Sequence, residues 1–104
     1  MANLPLLHIE RLNPRGIADR RFRVVAFVDG QQIWRDSVDP DNTRSRAAFG
    51  RGVVGALERA LGRKLKASEK QAVLNGMEQK VLRAAEHYYG PILPVGSEEP
   101  PSEA

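Results

Sequence analysis

The stretch RFRVVAFVDGQQIWRDSV, residues 21–38, decides the fold. Two runs rich in β-branched and aromatic residues flank Asp29-Gly30, and a two-residue hairpin turn needs a positive φ at both central positions. Glycine adopts a positive φ freely, and aspartate tolerates it. The stretch therefore predicts an antiparallel β-hairpin.

The hairpin has two alternative registers, which distribute its apolar side chains differently. A two-residue turn pairs Arg23 with Asp36 and gathers on one face Val25, Phe27 and Trp34. A three-residue loop with a bulge shifts the pairing by one residue and gathers on one face Phe22, Val24, Ala26 and Trp34. In both registers each face carries apolar residues, so each face needs a covering element or a partner.

Two helices are predicted after the hairpin. Residues 39–43, DPDNT, offer N-cap residues, and Pro40 suits a first helical turn. The first helix is predicted over residues 41–61, with Gly62 as its C-terminal stop.

The second helix is predicted to begin at an S-x-x-Q capping box formed by Ser68 and Gln71, and to end at Gly90. Residues 6–12 are either a short strand or an extended arm. The order of elements predicts a small single α+β domain over residues 1–90, a hairpin followed by two helices, with the N-terminal segment as a candidate third strand. Residues 91–104 are rich in Pro and Glu and predict a disordered tail.

Composition limits the classes of protein that this chain can represent. Its 104 residues suit one domain, and the absence of cysteine excludes disulfides and thiolate chemistry. The N-terminus lacks the pattern of a signal peptide. No stretch approaches the ~20 apolar residues that span a bilayer. We expect a soluble, cytoplasmic protein with no membrane partner.

Several short patterns resemble functional motifs without their required context. GRGVVG, residues 50–55, matches G-x-G-x-x-G, but a dinucleotide site needs that motif directly after a strand, and here it falls inside the first helix. A better explanation is that Gly52 and Gly55 let another helix or the sheet pack closely on the first helix, with Gly76 of the second helix facing them. The acidic residues at 36, 39 and 41 fit a capping cluster better than a cation loop. We expect no catalytic residue, metal, cofactor or small-molecule ligand.

The positive charge of the chain is concentrated in one segment. The net charge is +3, but residues 44–70 carry eight basic side chains against only Glu58 and Glu69. Arginine and lysine bind phosphates, and the binding weakens with salt. The segment predicts a nucleic-acid contact, with a solvated helix face as the alternative. The candidate residues are Arg44, Arg46, Arg51, Arg59, Arg63, Lys64 and Lys66.

A second hypothesis is a protein–protein interaction or homodimeric module that uses the uncovered apolar face of the hairpin. Its candidate contact residues are Trp34, Phe27 and Val25. Tryptophan is enriched at interface hot spots, but Trp34 also fits a core position beneath a helix.

The segment VVAFVDGQQIWRDSVDPDNTRSRAAF, within residues 22–61, resembles a hairpin-helix segment of bacterial and phage primase–helicase-type replication proteins. The chain has no Walker motif and no primase acidic site. The resemblance therefore implies a non-enzymatic accessory role near DNA, in a phage or mobile element. The matching positions are Asp29, Gly30, Asp36, Asp39, Arg44, Arg46 and Phe49.

Overall fold

A computed structural model describes residues 4–15 and 18–90 of the chain. A three-stranded antiparallel sheet of order β1-β2-β3 is followed by two helices, which confirms the predicted small α+β fold. The N-terminal segment forms a strand of this sheet rather than a free arm. The predicted tail, residues 91–104, lies outside the described residues. The elements are β1 (Leu6–Arg11), β2 (Phe22–Val28), β3 (Gln31–Val38), α1 (Thr43–Leu61) and α2 (Ala67–Tyr89).

The hairpin turn is the predicted two-residue turn. Asp29 and Gly30 have φ values of 51° and 78°. Beyond the turn the pairing shifts, because Phe27 pairs with Gln32 whereas Ala26 pairs with Trp34. Ile33 is therefore an extra residue, and β3 contains a bulge.

The bulge decides between the two predicted registers. It places Trp34 on the same face as the β2 residues Val24 and Ala26, as the bulged alternative predicted, although the bulge lies within the strand rather than in the turn. The predicted pairing of Arg23 with Asp36 is wrong, because the shift places Arg23 opposite Ser37.

Both helices cover the same face of the sheet. The inward side chains of β2, Phe22 and Val24, are fully buried in a single core with residues of both helices. Burying one such side chain contributes about 1.5–3 kcal/mol relative to leaving it exposed. At the end of α2, the Tyr89 ring stacks on Phe22 with 5.7 Å between centroids. The helical core residues are Phe49, Val53, Val54 and Leu57 of α1, and Val73, Met77, Val81 and Ala85 of α2.

The ends of α1 follow the predicted capping chemistry with a small shift. The helix begins two residues later than predicted, because the Asn42 side chain caps it by accepting a hydrogen bond from the Ser45 N–H at 3.0 Å. Gly62 ends the helix as predicted, with a φ of 71°, and its N–H donates to the Glu58 carbonyl at 2.9 Å.

The predicted Ser68–Gln71 capping box of α2 is wrong. The helix begins at Ala67, and the Glu69 carboxylate accepts the Lys66 N–H at 2.9 Å. Gln71 instead donates to the Asn75 side chain at 2.9 Å. Gly90 ends the helix as predicted. Within the described residues, neither helix is long and apolar enough to cross a bilayer.

Candidate nucleic-acid interface

Three arginines of α1 lie in a row along its solvent-exposed side. Arg44, Arg51 and Arg59 are seven and eight positions apart, which returns them to nearly the same side of a helix. All three are exposed, and none forms an ion pair with another described residue. The rise of an α-helix separates successive members by about 10–12 Å along the axis. We call these three residues the arginine row.

Small residues separate the members of the arginine row. Ala48 lies between Arg44 and Arg51, and Gly55 lies between Arg51 and Arg59. A Cβ added at Gly55 would contact only the Arg59 guanidinium, at 3.5 Å. A ligand can therefore approach the helix backbone between the arginines.

Glu58, the carboxylate nearest to the row in sequence, stabilises the connection between the helices and does not pair with an arginine of the row. The Glu58 side chain is only 14% exposed, and it accepts the Leu65 N–H at 2.8 Å. This hydrogen bond fixes Leu65, near the end of the segment that connects the two helices. The exposed side of α1 is therefore positively charged, with no exposed carboxylate between Arg44 and Arg59.

Arg46 lies apart from the arginine row. Its side chain is 15% exposed, its Nε donates to Glu78 Oε2 at 2.9 Å, and its Nη1 donates to the Pro40 carbonyl. Arg46 therefore joins α1 to α2 and to the segment that precedes α1, although the sequence grouped it with the candidate phosphate ligands.

The three basic residues of the α1–α2 connection have different surroundings. Arg63 donates twice to the Glu69 carboxylate, at 3.0 and 3.1 Å, whereas Lys64 Nζ lies 3.9 Å from Glu58. Lys66 is exposed and forms no ion pair with a described residue. The hydrogen bonds from Arg63, helped by the Lys66 N–H, lower the pKa of Glu69 from its usual 4.5 to about 2.

The predicted partner-contact residues do not form one surface. Trp34 lies on the helix-covered face, and its indole packs so closely on α1 that a Cβ at Gly52 would lie 2.5 Å from Cζ2. The core interpretation of Trp34 is therefore correct. Its Nε1 is buried without a hydrogen-bond partner among the described residues.

The other two predicted contact residues, Phe27 and Val25, lie on the face of the sheet that neither α1 nor α2 covers. Leu6 pairs with Phe27 on that side and is 69% exposed. Sequence reasoning missed Leu6, although its place next to Leu7 in a strand required one of the two to point away from the core. We call Leu6, His8, Val25, Phe27 and Arg35 the open sheet face.

Two of the three glycines in the G-x-G-x-x-G pattern allow α1 to pack closely on neighbouring elements, whereas the expected close packing at Gly55 is wrong, because a Cβ there would make only an ordinary contact with Arg59 at 3.5 Å. Besides the contact of Gly52 with Trp34, a Cβ at Gly50 would lie 2.9 Å from the Leu74 side chain of α2. The expected pairing of Gly76 with the glycines of α1 is wrong, because Gly76 faces Leu4 instead. The motif lies wholly inside a helix, so the strand-to-helix turn of a dinucleotide site is not formed here.

The carboxylates of the acidic cluster before α1 accept hydrogen bonds from nearby residues of the fold. The Asp41 carboxylate accepts two hydrogen bonds from Arg20, at 2.7 and 3.2 Å, and Asp39 accepts the Asp41 N–H at 2.9 Å. Asp36 accepts the N–H of Ser37. Within the described parts of the chain, no group of three or more histidine or acidic side chains is placed to hold a metal ion.

Comparisons with known proteins add no family to this picture. No protein-family model matches the chain, and no curated protein or solved structure is significantly similar to it.

Proposed function

We propose that the chain is a non-enzymatic, nucleic-acid-associated accessory protein that contacts phosphates through the arginine row. The supporting observation is that Arg44, Arg51 and Arg59 share one exposed side of α1 and have no carboxylate partner among the described residues. A guanidinium binds a phosphate with two parallel hydrogen bonds. Exposed arginines without partners keep those donors available.

The rest of the basic segment sharpens this proposal. Arg46 and Arg63 are held by Glu78 and Glu69, so they position helices rather than ligands. Lys66 is the other predicted contact that stays exposed without a described partner. The resemblance to primase–helicase-type proteins includes Arg44 and implies an accessory role near DNA, in a phage or mobile element, which agrees with this assignment.

Fluorescence anisotropy of labelled oligonucleotides, titrated at low and moderate salt, tests the proposal. Counterion release gives a slope of log K against log salt of about −0.9 for each phosphate neutralised on duplex DNA. Replacing the three arginines of the row by alanine should weaken binding strongly and reduce that slope by about two to three.

A second triple variant controls for the loss of net charge. Alanine at Arg15, before β2, and at Lys80 and Arg83 of α2 removes the same charge outside the basic segment 44–70. This variant should keep most of the affinity. No binding by the unmodified chain at low salt, or an equal loss in the two triple variants, contradicts the proposal.

A homodimer formed through the open sheet face is the second candidate function. The observation that favours it is Leu6, which is 69% exposed directly opposite Phe27 on a sheet surface that neither described helix covers. Light scattering at high concentration should give a dimeric mass that Leu6→Glu reduces to a monomeric one. Leu61→Glu, at a residue 38% exposed near the end of α1, is the matched control. A monomeric mass for the unmodified chain rejects this candidate.

A further inference from the structure

We propose that α1 is seated in the major groove of double-stranded DNA, with Arg51 on base edges and Arg44 and Arg59 on the flanking phosphates. This inference rests on the proposed nucleic-acid function and names its ligand. It depends on the exposed side of α1, where the central arginine has small residues on both sides and one further arginine lies toward each end of the helix.

The dimensions and profile of α1 suit the major groove. An α-helix with its side chains is about 10–12 Å in diameter, and the groove of B-form DNA is about 12 Å wide. The exposed side chains next to Arg51 are Ala47 and Ala48, and Gly55 follows one turn later. Among the exposed residues between the arginines no side chain exceeds a methyl group, and Glu58, the larger side chain on this side, is only 14% exposed, so the helix can approach until Arg51 reaches the base edges.

The position of each arginine assigns its role. Arg51 is central, and an arginine in the major groove pairs bidentately with the O6 and N7 atoms of guanine. Arg44 and Arg59 stand about 10–12 Å from it along the helix axis, which brings their guanidinium groups toward the phosphate walls of the groove. Phosphate contacts fix orientation, whereas base contacts give sequence preference.

The side of α2 that borders the row is compatible with a nearby phosphate backbone. Gln71 and Asn75 line the same surface groove as Ala47 and Arg51. Their amides are neutral and hydrogen-bonded to each other at 2.9 Å, and they retain further N–H donors. The acidic residue of that groove, Glu78, is already paired with Arg46.

Two other nucleic-acid classes fit this surface poorly. Single strands are held by aromatic side chains on which bases stack, and the exposed side of α1 has none. Double-stranded RNA has a deep, narrow major groove that side chains do not read. The exposed arginine row, with no aromatic side chain beside it, therefore favours duplex DNA.

The first test compares three labelled probes of one sequence: duplex DNA, duplex RNA and single-stranded DNA. We expect the duplex DNA to bind at least about tenfold more tightly than either of the others, since only its major groove admits the helix. Equal or tighter binding of the RNA duplex or the single strand overturns the major-groove assignment. The proposed function survives that result if binding still requires the arginine row, and it fails with the inference if none of the probes binds.

The second test separates the central arginine from the outer ones. The unmodified chain should prefer a guanine-containing duplex to one of A·T pairs alone by about tenfold, and 7-deazaguanine, which lacks the N7 acceptor, should reduce that preference. Arg51→Ala should remove the preference, whereas Arg44→Ala should weaken binding to both duplexes equally. A preference that persists in Arg51→Ala rejects the base-contact role.

The third test fills the space between the arginines. Gly55→Leu adds a bulky side chain on the exposed side of α1, where a Cβ meets only Arg59. We expect this variant to melt no lower than the unmodified chain and to bind duplex DNA at least about tenfold more weakly, because the helix can no longer approach the bases. Ala60→Leu, at an exposed position outside the row, is the matched control and should bind normally. Normal binding by a folded Gly55→Leu variant overturns the inference.

Discussion

Gly52 is the residue at which one methyl group decides how closely α1 can approach the sheet. A Cβ there would lie 2.5 Å from the Trp34 ring, which is large and rigid. Alanine should gain about 1 kcal/mol of helix propensity. Overpacking costs typically about 1–3 kcal/mol, so Gly52→Ala should lower the free energy of unfolding. Urea denaturation measures the change.

Gly55 provides the matched control, because it lies one turn later in the same helix. Its added Cβ would make only an ordinary contact with Arg59 at 3.5 Å. Gly55→Ala should therefore raise the free energy of unfolding by up to about 1 kcal/mol. If the two alanine variants shift stability in the same direction, the close packing of Trp34 on Gly52 is refuted.

Glu69 gives the domain a pH dependence whose sign follows from its ion pair. Its pKa is lowered from 4.5 to about 2 in the folded chain, mainly by hydrogen bonds from Arg63. Its contribution to stability is complete above pH 4.5 and is lost as the pH falls toward 2, because the unfolded chain binds the proton first. Stability should therefore fall across this interval.

Glu69→Gln isolates this effect, because glutamine can still accept the Lys66 N–H. The variant should be less stable than the unmodified chain at pH 6 and equally stable near pH 2, when both are followed by urea denaturation. Glu86→Gln, at an exposed glutamate of α2 with no ion pair among the described residues, is the control. A stability difference that is the same at both pH values would show that the ion pair is not its source.

At the scale of whole elements, two arginines of the first turn of α1 have separate tasks. Arg46 holds α1 to α2 through Glu78 and to the Pro40 carbonyl, whereas Arg44 is exposed. Hydrogen bonds to charged groups contribute about 1.5–3 kcal/mol. Arg46→Ala should therefore lower the free energy of unfolding by about that amount and leave nucleic-acid binding intact.

Arg44→Ala should give the opposite pattern, with weaker binding and unchanged stability. Urea denaturation and anisotropy of the same two proteins measure both properties. A loss of nucleic-acid binding in a folded Arg46→Ala variant would show that Arg46 also contacts the ligand.

The elements whose signals are local were predictable from sequence. The turn at Asp29-Gly30 and the helix stops at Gly62 and Gly90 depend on backbone conformations that few residues adopt, so the residues themselves reveal them. The spacing of seven and eight residues between Arg44, Arg51 and Arg59 is also a local signal, because it depends only on helix geometry.

Features that depend on distant partners were not predictable in the same way. The bulge at Ile33 turns Trp34 toward the covered face, where the ring packs against Gly52 of a later helix. Arg63 donates a hydrogen bond to Glu69 across the α1–α2 connection. The residue at which α2 begins therefore depends on how this connection joins the two helices. The sequence alone groups Arg46 with the phosphate ligands, since no local signal shows that it pairs with Glu78, which lies 32 residues away.

At the scale of the whole molecule, the two candidate surfaces lie on opposite sides. Both helices cover one face of the sheet, and the arginine row lies on the side of α1 opposite its buried residues Phe49 and Val53. The open sheet face, with Leu6 and Phe27, is the opposite face of the sheet, away from both helices. A dimer formed through the open sheet faces would therefore leave both arginine rows directed outward.

This arrangement predicts the stoichiometry of the assembled complex. If the chain dimerises through its sheets, each dimer should bind two short DNA duplexes, one on each arginine row. Leu6→Glu should then give monomers that bind one duplex each with unchanged affinity, because sites without shared contacts act independently. Analytical ultracentrifugation with a labelled duplex measures both masses. One duplex shared by a dimer, or weaker binding by the Leu6→Glu monomer, would show that the two surfaces are coupled.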